Sequence, residues 1–385
     1  MTSEVEYGVF LPVSDGGFIF SSTAPQLPST YEYNKRVTQL AEELGLGFVI
    51  SLARWRGFGG QRSNPTRDDA LEAVATTAGL AECTKRIRVF CTMHTMAFHP
   101  AVAAKILATI DQISNGRVGM NIVAGSNPID HGQMGIWNDG DHAELYKRAA
   151  EWMTVAKRLW TEERVDFKGD YYTLVDCLSD PKPVQRPYPT IICAAVSDTG
   201  YEFTMRHADA SLVNGSDVED LKRNGVRNKE KAKELGLDAR TVGLVMVVPG
   251  KTDAEAEERV RLYDQGADVE ALAARSWQYN QSAREWSRDE QIRREQRKLF
   301  PDGKTPAAVT RNTVAGTPET LADKIEDVIR GGEFDWLGFY FPDYIADLEI
   351  FGREVLPLLT KRGVGRSGTA KPTLAGRRMA VPSAG

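Results

Sequence analysis

Cysteine is scarce in this 385-residue chain and shows no pairing pattern. Cys83, Cys91, Cys177 and Cys193 are the only four, and no two stand at a CxxC spacing. Neither a disulfide framework nor a zinc site is expected from them. Long hydrophobic runs are missing too. No stretch approaches the roughly 18 apolar residues that a membrane helix needs, so no span is expected. Excess positive charge is absent: 48 Lys and Arg stand against 53 Asp and Glu, for a net charge of −5. A general nucleic-acid binder is excluded, because neutralising phosphates takes a basic surface. No GxGxxG follows a strand-like run, and GxxxxGK[ST], HExxH and GxSxG are not found. Residues 1–6 lack the basic and then apolar stretch of a signal peptide, so a cytoplasmic protein is expected.

What is present is alternation. Short apolar runs at residues 7–12, 48–53, 87–93, 117–125, 190–196, 210–214, 242–248 and 334–341 read as buried strands. Helical patterns lie between them. The first has Ser29 as N-cap and Gly45 as its stop; another covers residues 68–84; a third opens with Pro100 at N1 and ends at Asn115-Gly116. Further helices are expected at 144–163, 200–207, 218–235, from Ala254, from Thr317-Pro318-Glu319, and at 345–359. Residues 165–174 read as a small hairpin. Eight strands too apolar to be half-exposed, each followed by a helix, predict an α/β fold of the (β/α)8 TIM-barrel type with insertions. An open doubly wound sheet is the alternative. No Pro/Ser/Gly-rich linker divides the chain, which predicts a single domain over residues 1–363. Within it, the charged stretch 268–312 is an insertion that serves as a lid or an oligomer contact. Residues 364–385 read as a disordered tail.

In such a barrel, chemistry sits at the C-terminal ends of the strands. Asn121 is the most informative residue there: a polar amide inside the apolar run Val118, Met120, Ile122, Val123. A buried amide costs free energy unless its hydrogen bonds are met. It is either a satisfied core asparagine or a side chain aimed at a polar ligand. Thr92 raises the same pair of readings. Ser197-Asp198-Thr199-Gly200 opens a helix after a strand, which is either a plain N-cap or a phosphate site. His94, His99, His131 and His142 match no metal-ligand spacing, so no metal is expected.

Several segments resemble a known family. "YGVFLPVSDGGFIFSSTAPQ" (7–26), "AEELGLGFVISLARWRGFGG" (41–60), "ATIDQISNGRVGMNIVAG" (108–125), "QMGIW" (133–137), "DFKGDYYTL" (166–174) and "GTPETLADKI" (316–325) are similar to the bacterial-luciferase-like monooxygenases. The N-terminal segments narrow this to the group that oxidises pyrimidines, sulfones and sulfonates, closest to the pyrimidine monooxygenases of the Rut pathway. The resemblance implies a luciferase-like barrel that binds reduced FMN (FMNH2), supplied by a separate NAD(P)H-dependent flavin reductase, with O2 as co-substrate. It implies flavin contacts at Ala53, Arg54, Asn121, Asp130, Tyr146 and Ser197, the last at the phosphate. Thr92 and Asn121 match the pair lining the oxygen pocket, and are the catalytic candidates. A small-molecule substrate and a homodimer or homotetramer follow in the same way. Departures are visible. Ala124-Gly125-Ser126-Asn127 replaces Thr-Gly-Trp-Gln of the pyrimidine enzymes, and Leu145 replaces an arginine. Gly125-Ser126-Asn127-Pro128, Asp141-His142 and Tyr146 resemble alkanesulfonate monooxygenases instead, although Arg67 stands where those carry a cysteine. A cyclic amide such as a pyrimidine is the leading substrate class, with a sulfonate, sulfosugar or sulfone as the alternative. A deazaflavin (F420)-dependent dehydrogenase and a flavin-storing barrel are the other readings.

Overall fold

The computed structural model describes residues 5–55, 69–124, 128–136, 142–194, 198–238, 240–280, 308–309 and 312–365. The chain starts with β1 (Glu6–Leu11), α1 (Tyr31–Glu43), β2 (Phe48–Ser51), α2 (Ala73–Glu82), β3 (Arg88–His94) and α3 (Pro100–Ser114). It continues with β4 (Val118–Val123), α4 (Pro128–Gln133), α5 (His142–Thr161), β5 (Arg164–Lys168), β6 (Thr173–Leu178), β7 (Thr190–Ala194) and α6 (Asp198–His207). Then come β8 (Ala210–Val213), α7 (Val218–Glu234), β9 (Arg240–Pro249), α8 (Asp253–Gln265), α9 (Val269–Asn280), β10 (Thr313–Gly316), α10 (Pro318–Gly332) and β11 (Trp336–Tyr340). A last helix runs as α11 (Ala346–Ile350), a π-helical turn (Phe351–Val355) and α12 (Leu356–Lys361).

Strands β1, β2, β3, β4, β7 and β8 are neighbours in that order; β8 pairs with β9, β9 with β11, and β11 with β1, every pairing parallel. The ladder Ser211↔Thr241, Leu212↔Val242 closes the ring. This is the expected (β/α)8 barrel, and the closure rules out the open sheet. β5 and β6 form the expected hairpin as a separate antiparallel pair.

Several boundaries differ from expectation. Thr30, not Ser29, caps α1: its hydroxyl accepts from the Tyr33 N–H. α2 starts at Ala73 rather than near residue 68, because Ala70 bridges to Ser14 and the Leu71 N–H bonds the Val13 carbonyl, which holds the chain extended up to Glu72. Glu72 then caps the helix with both carboxylate oxygens. β2 ends at Ser51, β4 at Val123 and β7 at Ala194, each short of its apolar run. Inside 268–312, Val269–Asn280 is a helix whose Ala271, Ala273 and Ala274 pack with Phe20; residues 281–307 lie outside the described ones. β10 was not foreseen. Met246 of β9 pairs with Tyr340 on one side and Thr313 on the other, so β10 continues the edge of β9 that β8 leaves free beyond Gly243. Val364 is buried and its carbonyl accepts from the Tyr7 hydroxyl, 3.0 Å away; residues 366–385 lie outside the described ones.

Alternation of side chains along each strand divides the core in two. On β3, Val89, Cys91 and Met93 face the helices, while Arg88, Phe90, Thr92 and His94 face the interior. The lower interior is filled. Phe48, Phe90 and Trp336 lie with ring centroids 5.9–6.1 Å apart. The Arg88 guanidinium sits over the Trp336 ring at 4.6 Å and pairs with Glu6 at 2.5 Å. Those rings need room: a Cβ on Gly119 would stand 2.3 Å from Phe90, and one on Gly8 2.3 Å from Phe48. Gly119→Ala is therefore expected to cost about 1–3 kcal/mol by overpacking, read as a lowered thermal midpoint. Combining it with Phe90→Leu should recover part of the loss; a wild-type midpoint in Gly119→Ala would contradict this packing.

Candidate active site

A second set of interior polar groups lies at the opposite end, where the strands finish. Thr92 and Asn121 are register partners on β3 and β4. The Asn121 amide Nδ2 donates to Thr92 Oγ1 at 2.9 Å, and Thr92 Oγ1 donates to the main-chain carbonyl of Ser51 at 2.5 Å. The relay thus crosses from β4 through β3 to β2. Its direction is forced. A carbonyl only accepts, so the threonine hydrogen goes to Ser51 and the amide must donate to threonine. That leaves Asn121 Oδ1 buried, with no hydrogen-bond partner among the described residues. Thr92 and Asn121 are 3% and 4% exposed, so bulk water does not serve that oxygen. An unmet buried acceptor costs about 1–3 kcal/mol.

A second cluster stands on the rim. Beyond Ser51 the chain leaves the sheet as an irregular segment carrying Ala53, Arg54 and Trp55. Asp130 of α4 is fully buried and its Oδ2 accepts from the Trp55 N–H at 3.2 Å; the Arg54 Nε lies 4.0 Å from the same oxygen. The next residue of α4, His131, meets His94 edge-on, ring centroids 4.8 Å apart. The Ala53 main chain favours the charged form of the His94 ring. Burial, then the neighbouring His131 and Arg54, push the His94 imidazole down to about 3, so it is neutral at physiological pH. Burial lowers His131 as well, although Asp130 pulls it up.

The wall facing these groups is aromatic. Phe10 of β1 and Tyr340 of β11 lie on the interior face, and Phe18 packs on both, at 5.2 and 5.1 Å between ring centroids. Tyr146 of α5 stands against Phe203 of α6 at 5.4 Å.

Of the residues expected at the site, Thr92 and Asn121 are brought into direct contact, and Ala53, Arg54 and Asp130 share the rim. Ser197 lies outside the described residues, as do Arg67, Gly125-Ser126-Asn127 and Asp141. Ser51 and His94 stand at strand ends, where a barrel places its chemistry; the part of the Ser51 carbonyl in the relay and the meeting of His94 with His131 were not anticipated. His94 carried one usable signal, its period-two spacing from Thr92 on the same strand. Two of the chain's five histidines meet here, but among the described residues no three His, Cys, Asp or Glu side chains gather as a metal site would require. No helix among them is long and apolar enough to cross a membrane.

Comparison with known proteins gives this geometry a setting. Residues 5–333 match the family model described as luciferase-like monooxygenase. The pyrimidine monooxygenase RutA of Acinetobacter baylyi is 33% identical over 364 residues, covering 93% of this chain and 95% of that protein. Its namesake from Klebsiella pneumoniae subsp. pneumoniae is 33% identical over 362 residues, with 93% and 97% covered. Among solved structures, riboflavin lyase (RcaE), with modified FMN and riboflavin bound, superposes with a TM-score of 0.82 at 20% identity over 96% of this chain and 94% of that one. The long-chain alkane monooxygenase LadA gives 0.77 at 20% identity, with 95% and 93% covered. The two structures speak for the barrel alone. The family model and the RutA relatives, each spanning most of the sequence, decide the rest: this chain belongs to the luciferase-like monooxygenase family and is a flavin-dependent monooxygenase.

Proposed function

We propose that the chain is the oxygenase of a two-component system. It takes reduced FMN from a separate NAD(P)H-dependent reductase, and O2, to cleave a carbon–heteroatom bond in a small polar substrate, a cyclic amide of the pyrimidine kind. The observation that carries this reading is the unpartnered Asn121 Oδ1 at the end of the Asn121–Thr92–Ser51 relay. A buried acceptor held at that depth suits a ligand that presents an N–H or O–H. Reduced flavin has such N–H groups, on a flat ring system that also suits the Phe10–Phe18–Tyr340 wall. The proposed contacts are Ala53, Arg54, Asn121, Asp130 and Tyr146, with Ser197 at the phosphate. When bound, the flavin supplies the electrons that activate oxygen.

The chain's own part is placement. Ser51 fixes the direction of the relay, Thr92 keeps the amide aimed, and Asn121 offers Oδ1 and its second N–H to whatever charge develops beside it. Arg54 brings positive charge to the rim. Asp130 lies 4.0 Å from it and offsets much of that charge, which favours a neutral cyclic amide over a sulfonate anion. The names of the RutA relatives point the same way. We place this chemistry in a single domain through residue 363, working as a homodimer or homotetramer in the cytoplasm.

The test is anaerobic loading with reduced FMN, then exposure to oxygen with a panel of pyrimidines, sulfones and sulfonates, products read by mass spectrometry. One oxygen atom from O2 in a pyrimidine product is expected. Turnover of sulfonates or sulfones alone would reject the cyclic-amide reading. Oxygen-independent hydride transfer with F420 and none with reduced FMN would reject the two-component reading.

A further inference from the structure

The hairpin of β5 and β6 lies outside the barrel sheet, its two strands pairing with each other. A two-stranded hairpin is marginal on its own, and this one is held by its tip. The main-chain N–H groups of Asp170, Tyr171 and Tyr172 donate to the Glu151 carboxylate of α5, at 2.9, 2.9 and 2.6 Å. Glycine at 169 admits that carboxylate, since a Cβ there would stand 2.4 Å from it. The two tyrosine side chains reach toward the start of α5. The Tyr172 hydroxyl accepts from Arg148 Nε at 3.1 Å, and the Tyr171 hydroxyl donates to Glu144. Charged partners make such bonds stronger than neutral ones. Glu144, Arg148 and Glu151 follow one another at spacings of four and three, so they share one face of the helix. The Tyr172 ring, 5% exposed, also meets His99 of the β3–α3 loop edge-on, ring centroids 5.4 Å apart. Next to Glu151, Trp152 Nε1 donates to the Phe98 carbonyl of that loop at 2.8 Å. The tip thus joins the first half of α5 to the loop that leaves β3, the strand carrying Thr92.

That grip is on the far side of the helix from a proposed flavin contact. Tyr146 comes two residues after Glu144 and two before Arg148, which turns it about 160° away from them on an α-helix. It packs on Phe203 of α6. We propose that Glu151 and Tyr172 are positioning residues for the flavin: by locking the hairpin tip between α5 and the β3–α3 loop, they set the place of Tyr146 relative to Thr92. Neither acts on the reacting atoms in this role. The bonds of the tip converge on the stretch of α5 that carries Tyr146, not on the sheet. The proposal rests on the reduced-flavin reading above, in which Tyr146 is a contact.

Glu151→Ala releases all three N–H groups of the tip. Glu151→Gln keeps Oε1, the atom that serves Tyr171 and Tyr172, and loses the bond to Asp170. Arg148→Met removes the donor to the Tyr172 hydroxyl and keeps a good helix former. Each is made alone and together with Tyr146→Leu. Binding of reduced FMN is measured anaerobically by the change in flavin absorbance, alongside the thermal midpoint of each cofactor-free protein. The Kd is expected to rise about tenfold in Glu151→Ala and about threefold in Arg148→Met, and to stay within about twofold of wild type in Glu151→Gln. The KM for reduced flavin should follow the Kd, while kcat at saturating flavin changes less than about threefold. Tyr146→Leu itself binds more weakly. In that background Glu151→Ala should add less than about twofold to the Kd, yet lower the thermal midpoint as much as it does alone, because residues that act through one another do not add. A role in packing alone moves the midpoint and leaves the Kd, or weakens binding equally in both backgrounds. Either result overturns the proposal. So does a glutamine variant as weak as the alanine one, or wild-type affinity in Arg148→Met should Glu151→Ala not fold. Wild-type affinity in Tyr146→Leu removes that contact and the proposal with it. A wild-type chain that binds no reduced FMN sinks this proposal together with the flavin reading, whereas normal wild-type binding with unchanged Glu151 and Arg148 variants sinks this one only.

Discussion

Asn121→Ala is expected to lower kcat/KM for flavin-driven oxygenation by about a hundredfold or more, the range seen when one preorganised polar group is removed from beside developing charge. The size follows from depth. The amide is 4% exposed, so water does not enter to replace it without disturbing the strand ends. Thr92→Val keeps the shape and removes the hydroxyl. It strands the Asn121 Nδ2 donor and the Ser51 carbonyl acceptor, which are now 2.9 and 2.5 Å from Thr92 Oγ1. The amide is then free to turn, and a fall of about tenfold is expected, with Thr92→Ser close to wild type. Because the two side chains form one relay, the double variant should be little worse than Asn121→Ala alone. Single-turnover kinetics with preloaded reduced FMN makes the measurement. Multiplying losses would mean separate roles, and an unchanged Asn121→Ala would remove the relay from the reaction.

Arg259→Met should cost about 3–5 kcal/mol of stability while leaving reduced-flavin affinity unchanged. Arg259 of α8 donates to both oxygens of Asp347 in α11, at 3.0 and 2.9 Å, and to the Pro249 carbonyl that ends β9, at 2.6 Å. Asp347 is 2% exposed. Burial pushes its carboxyl up and Arg259 pulls it down. Removing the arginine leaves a buried carboxylate without its counter-charge, which is where the cost arises. Arg259→Met with Asp347→Leu removes both charges and should recover most of the loss. Urea unfolding compares the three chains; a double variant as unstable as the single would place the cost in lost packing.

The sequence made the barrel readable because its strands are buried on both faces and so appear as continuous apolar runs. β10 escaped: Thr313-Val314-Ala315-Gly316 is four residues long, with no run to read, and it exists because β9 outlasts β8. α2 begins later than the helical pattern over 68–84, because tertiary pairing of Ala70 and Leu71 keeps that stretch extended. Asn121 stood out as an amide in an apolar strand. Thr92 did not stand out alone, because threonine is an ordinary strand residue; the register that joins the two is a tertiary fact. His94 and His131 match no ligand spacing in the sequence. Their meeting depends on α4, a single short helix whose residues carry no period that sequence alone reveals.

The packed floor of Phe48, Phe90, Trp336 and Arg88 has a kinetic consequence. With that end filled, the interior is reached from the strand ends. If the two-component reading holds, cofactor, substrate, product and spent flavin all pass the same rim, so their traffic is a queue. A ring system seated against Asn121 has to arrive before anything that sits above it, and it is the last to leave. On the proposed reading an ordered mechanism is therefore expected, set by a group of side chains at the far end from the chemistry.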